Sequence, residues 1–172
     1  DERAAVGSLA GHVSSASEQH AHQETILDTL SDLNSQSERT AIGAALGVMY
    51  RGYDAAREKE REGAWFSVDF VEPLIVLTTR SVHVSEAAVW ALGWLMIAKL
   101  WDPTAEHLRK LINSYDRTPF SAMSHTWFAT IFAETQCAES VGSLIQKLQC
   151  SSSEERTVAA WALGRIGARE AA

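Results

Sequence analysis

The feature that most restricts this chain is that it repeats itself. ERTAIGAALG at Glu38–Gly47 aligns without a gap on ERTVAAWALG at Glu155–Gly164. EAAVWALG at Glu86–Gly93 fits the same frame, and its last four residues, from Trp90, are identical to the four from Trp161. Weaker copies lie at Glu2–Ala10 and around Trp127–Thr130. Taking Ala10, Gly47, Gly93, Thr130 and Gly164 as equivalent gives periods of 37, 46, 37 and 34 residues. A period of this length belongs to stacked supersecondary units, none of which can bury its apolar face alone.

A second element alternates with the first. It carries a Leu/Ile-x-x-Leu step at Leu27/Leu30, Leu74/Leu77, Leu108/Leu111 and Ile145/Leu148. It follows the preceding marker by 17, 27, 15 and 15 residues, so the long period gains its extra residues between the two helices of one unit, near residues 50–64. There Arg57–Glu62 alternates in sign, the pattern of a solvated helical face with i,i+3 and i,i+4 pairs. It extends the first helix or adds a surface helix.

Local signals place the elements. Ser152 with Glu155 reads as a capping box, the hydroxyl accepting from the Glu155 N–H and the carboxylate reaching back. Behind it Val158, Trp161, Ala162 and Ile166 form an apolar face, and the small residues Ala159, Ala160, Gly164 and Gly167 let another helix approach. The other first helices are expected at Glu38–Tyr50, from Ser85 to Leu100, and at His125–Glu134 behind a cap at Ser124. Pro73 suits the first turn of a second helix. Asp102-Pro103 reads as cap and first position of a helix over Thr104–Tyr115, and Ala138–Gln149 is expected to be the next second helix.

The alternation of A-x-x-A-L-G-type and P-L-I-x-L-type helices resembles HEAT repeats, in particular the short bacterial kind also found in bilin-lyase-like proteins. The resemblance covers nearly the whole chain and is clearest at Glu38–Gly47, Ser85–Gly93 and Glu154–Gly167. It implies an all-α fold, a right-handed α-solenoid of about four and a half helix pairs, with the second helices lining the concave face. Arg39 and Arg156 are the nearest candidates for the family's Asp/Arg ladder. Residues 1–172 are read as one such segment cut from a longer array, and an uncovered end could dock on a second copy.

The net charge of −7 argues against a nucleic-acid partner. No apolar run is long enough to span a membrane. If Ala138–Gln149 is helical, Cys137 and Cys150 lie near its opposite ends, too far apart for a disulfide. Free thiols and a cytoplasmic setting are expected.

No enzyme signature stands out. His20, His22 and Glu24, with His12 nearby, are the best metal candidates, but residues i and i+2 of a helix do not share a face. No metal, cofactor or catalytic residue is expected. His83 and His125 each precede a first helix and read as cap or loop residues. Trp90, Trp127 and Trp161 share one repeat position and are expected in the core between helices; Trp65 and Trp101 lie outside that frame and are the candidates for exposed contacts. The most plausible binding surface is the polar side of the second helices: Asp69, Glu72, Arg80, His107, Lys110, Asn113, Gln146, Lys147 and Gln149. The expected function is a protein-interaction or scaffolding module with a protein or peptide partner, set within a larger regulatory protein. The alternative that the resemblance allows is a HEAT-type enzyme such as a bilin-lyase-like protein.

Overall fold

The structure, a computed structural model, describes residues 38–57, 70–117 and 121–167. The expected first helix pair, His12, His20, His22, Glu24, Trp65 and Asp69 lie outside the described residues.

The described residues form seven α-helices and one 3-10 turn, with no strand among them. In chain order these are α1 (Glu38–Arg57), α2 (Val71–Leu77), α3 (Val82–Ile97), α4 (Ala105–Arg117), α5 (Ala122–Glu134), the 3-10 turn Ala138–Ser140, α6 (Val141–Lys147) and α7 (Ser153–Ile166). The all-α expectation holds. The first helix runs unbroken past Tyr50 to Arg57, where the charged run begins; residues 58–62 of that run lie outside the described residues.

The chain divides into two compact units, residues 1–102 and 103–172. In the first, α3 packs on α1 and on α2. Small residues, Ala44 and Ala45 on α1 with Ala87, Ala88 and Ala91 on α3, are all buried and allow close approach, while Leu74, Leu77, Leu92 and Leu95 fill the remaining space. In the second unit, α7 packs on α5 and on α6, and α4 touches α5 and α6. Its core is aromatic. Tyr115 lies 5.5 Å from Phe128 and 5.6 Å from Phe132, the latter edge to face, and Leu111, Ile131, Leu144 and Leu163 close around them. Each such ring pair contributes roughly 0.5–1.5 kcal/mol beyond its buried area.

The repeat seen in the sequence returns in the backbone. The α2–α3 hairpin recurs as α6–α7 at a constant shift: 152 − 81 and 161 − 90 both give 71 residues. Ser81 and Ser152 are the N-caps of α3 and α7. The preceding helices wind out through the same i to i+3 bonds, Thr78 to Ile75 and Thr79 to Val76 in one, Gln149 to Gln146 and Cys150 to Lys147 in the other. The first helices α3 and α5 also stop alike. The Leu100 N–H returns to the Leu95 carbonyl and the Cys137 N–H to the Phe132 carbonyl, with Lys99 (φ 58°) and Gln136 (φ 52°) in the left-handed region between them. Those two residues are 37 apart, the period that separates Gly93 from Thr130.

Several element boundaries differ from expectation for identifiable reasons. Ser121, not Ser124, caps α5: its Oγ accepts from the Ser124 N–H at 3.2 Å, and the helix starts earlier. Residues Asp102 and Pro103 stay outside α4; Thr104 caps it, its Oγ accepting from the His107 N–H at 3.2 Å. In return His107 Nδ1 accepts from the Thr104 N–H at 3.3 Å, so an imidazole fills the place a glutamate takes in a capping box. Ala138–Gln149 is not one helix but the 3-10 turn followed by α6.

Trp101 is 5 % exposed, packed just behind the left-handed stop of α3, so it is no surface contact. Trp90 and Trp127 are half-buried and Trp161 is 44 % exposed. The shared tryptophan position therefore lies at the margin of the core. On α7 the buried stripe is Ala159, Ala162 and Leu163, rotated from the expected face by about one residue.

Candidate functional site

The polar residues of the second helices fall into both units. In the first, Glu72 is exposed on α2 and Arg80 half-buried in the turn after it. In the second, Lys110 and Asn113 stand on α4, Gln146 and Lys147 on α6, and Gln149 just beyond it. Asn113, Gln146 and Gln149 are exposed. Lys110 Nζ lies 3.4 Å from Glu106 Oε1 one turn earlier, a solvent-screened pair worth a few tenths of a kcal/mol at most. His107 is committed to its cap. Lys147 holds its ammonium 5.2 Å from the centre of the Tyr115 ring, and Ser143 Oγ donates to Asp116 Oδ2 at 3.1 Å. These two contacts tie α6 to α4, so the unit 2 residues stand on neighbouring helices.

Among the described residues, one cluster of titratable groups was not legible in the sequence. His125 falls on the fourth position of α5 and is 3 % exposed, neither cap nor loop residue. Its Nε2 lies 3.3 Å from Glu155 Oε2 on α7, and the Tyr115 ring meets the imidazole edge-on at 5.2 Å. Glu155 gives its N–H to the Ser152 cap at 3.3 Å, as expected, but its carboxylate is turned to His125 rather than back along the helix. Burial holds the His125 pKa below its ordinary value of 6.5, a stronger influence than the opposing pull of Glu155; the Lys147 charge adds to the lowering. Tyr115 is pushed well above the usual tyrosine value, first by burial and then by the negative charges of Glu155 and Asp116. A neutral imidazole donating to a carboxylate, with the histidine buried this far, fastens α5 to α7.

Two further links join the same helices. Arg165 Nη2 lies 2.8 Å from Glu134 Oε1, and Gln136 Nε2 donates to the Arg165 carbonyl at 3.0 Å. Arg156, a ladder candidate, instead gives Nη1 to the carbonyls of Cys150 and Ser151, at 2.9 and 2.8 Å, and clamps the loop before its own helix.

Both cysteines are free, as expected. Cys137 is buried, which raises its thiol pKa. No group of three metal-ligating side chains occurs among the described residues. No helix of the described residues is long and apolar enough to cross a membrane.

Among the described residues, fold and side chains together define an all-α arrangement in which polar side chains, the buried His125 among them, link one helix to another. The chain matches no family model, no curated protein and no solved structure with which it was compared.

Proposed function

We propose that the chain is a segment of a HEAT-like, right-handed α-solenoid that serves as a protein-interaction or scaffolding module. The observation that carries this reading is the return of one hairpin. Helix, turn, serine cap and helix recur at a shift of 71 residues, and in each unit the later first helix leans on the earlier one and on the second helix between them. Units that need their neighbours in this way build long surfaces, and such surfaces bind other chains. The module binds rather than catalyses: among the described residues the histidine–carboxylate pair has its histidine buried and engaged in packing. The free thiols suit a cytoplasmic setting.

The partner is a protein or peptide held by the polar side of the second helices, with no nucleic acid involved. In the second unit this surface centres on Lys110, Asn113, Gln146 and Gln149. Lys147 is better left intact in a test, because its charge sits over Tyr115. A protein captured on the full chain and identified by mass spectrometry is titrated against a Lys110→Glu/Gln146→Glu variant and against Glu154→Gln, on the exposed first turn of α7. The first variant is expected to bind at least about tenfold more weakly, and the second like the wild type. Equal binding by all three proteins would reject this surface.

A further inference from the structure

Within the first unit, the N-terminal halves of α1 and α3 leave an open groove between them. Glu38, Arg39, Ile42 and Leu46 line it from α1, and His83, Glu86, Ala87 and Trp90 from α3, enclosing about 500 Å³. This is the size of a site that takes one or two side chains of a ligand. Each set lies on one helical face, with spacings of one, three, four and seven or eight residues. Ala87 is buried and Ile42, Leu46 and Trp90 are half-buried, so the floor is apolar but still reachable. Glu38, Arg39 and His83 are exposed at the rim, and Glu86 is half-buried beside them.

We propose that this groove binds a short peptide segment of a partner protein in which an aliphatic or aromatic side chain stands next to a lysine or arginine. The chemistry of the lining selects this occupant. Ile42, Leu46 and Ala87 offer contact to an apolar anchor of a size that the groove admits. The two carboxylates outnumber the one guanidinium, and the whole chain is acidic, so a cation is drawn in and an anion repelled. Trp90, half-buried in the lining, adds apolar contact for the stem of the basic residue. Arg39, on the α1 side of the groove, supplies donors for the peptide's own carbonyls. The surface is separate from the polar second helices and belongs to first helices alone, so its fate does not depend on theirs.

The test uses the full chain labelled with nitrogen-15 and three blocked tetrapeptides: Ac-Lys-Phe-Leu-Lys-NH2, its charge-reversed form Ac-Glu-Phe-Leu-Glu-NH2, and Ac-Lys-Ser-Ser-Lys-NH2. The first is expected to shift the amide signals of Glu38–Leu46 and His83–Trp90 saturably, with at least about tenfold tighter binding than either of the others, the size of one well-made contact. Glu38→Gln/Glu86→Gln should erase the preference for the basic peptide over the acidic one, and Trp90→Ala should weaken the basic peptide further than Trp90→Phe. Unaltered far-ultraviolet circular dichroism confirms that each variant is folded; should Trp90→Ala unfold, the glutamine pair decides alone. Equal shifts from the acidic peptide, shifts confined to other helices, or no shift at about 5 mM peptide, where even a weak site would be occupied, would overturn the proposal.

Discussion

A histidine enclosed beside a carboxylate gives the second unit a pH-dependent fastening. Because burial lowers the folded-state pKa of His125, the folded chain favours the neutral imidazole while the unfolded chain takes up its proton near pH 6.5. The contribution of this site is therefore complete above about pH 6.5 and is lost as pH falls from there through the lower folded value. Urea titrations between pH 7.5 and 5.5 should show the wild-type midpoint falling and a His125→Gln variant, less stable at the upper end, changing less. Equal slopes for both would show that the imidazole does not titrate with folding. Nothing local in the sequence marks this pair. Ser152 and Glu155 advertise a cap, and the hydroxyl delivers it; that the carboxylate turns away to another helix is a tertiary event without a short-range signal. Trp161 failed for a related reason: its repeat position was legible, but that position lies at the edge of the core, where exposure is set by what covers each copy.

At the scale of the element, two glycines of α7 have opposite roles. Gly164 sits inside the helix, exposed, and a Cβ there would meet nothing within 4 Å. The packing role expected of it is absent, and Gly164→Ala should stabilise the protein by about 0.5–1 kcal/mol through the helix propensity gained. Gly167 ends the helix at φ 74°, its N–H on the Gly164 carbonyl at 3.3 Å. Gly167→Ala should cost about 1 kcal/mol, because an L side chain is strained in that conformation. Thermal melts of the two variants should move in opposite directions. Helix existence was legible throughout the described residues because apolar spacing, serine caps and repeats agreed; boundaries slipped where two caps competed. Ser121 prevailed over Ser124, and Thr104 prevailed over Asp102 by recruiting His107, a partner that simple cap patterns do not include.

For the molecule as a whole, the division at residue 102 makes a prediction about stability. Leu111 is fully buried in the second unit, and Leu111→Ala should remove about 2–5 kcal/mol there. Amide hydrogen exchange of the variant should quicken more in residues 105–167 than in α1 and α3; uniform loss of protection would mean that the two units open together. The repeat made the all-α architecture readable, since a period of some 37 residues leaves few other solutions. The contacts that close the second unit were not readable, because side chains more than twenty residues apart, such as Ser143 with Asp116 and Arg165 with Glu134, obey no periodicity.

The left-handed stops of α3 and α5 bear on how copies of one module drift apart. Lys99 and Gln136 occupy equivalent places that glycine fills at lower conformational cost. Lys99 is exposed, so Lys99→Gly should raise stability by up to about 1 kcal/mol. Gln136 spends its amide on the Ala133 and Arg165 carbonyls, and Gln136→Gly should gain nothing or lose stability. One copy has thus turned a strained corner into a rivet, while the other keeps it as an unredeemed cost open to mutation.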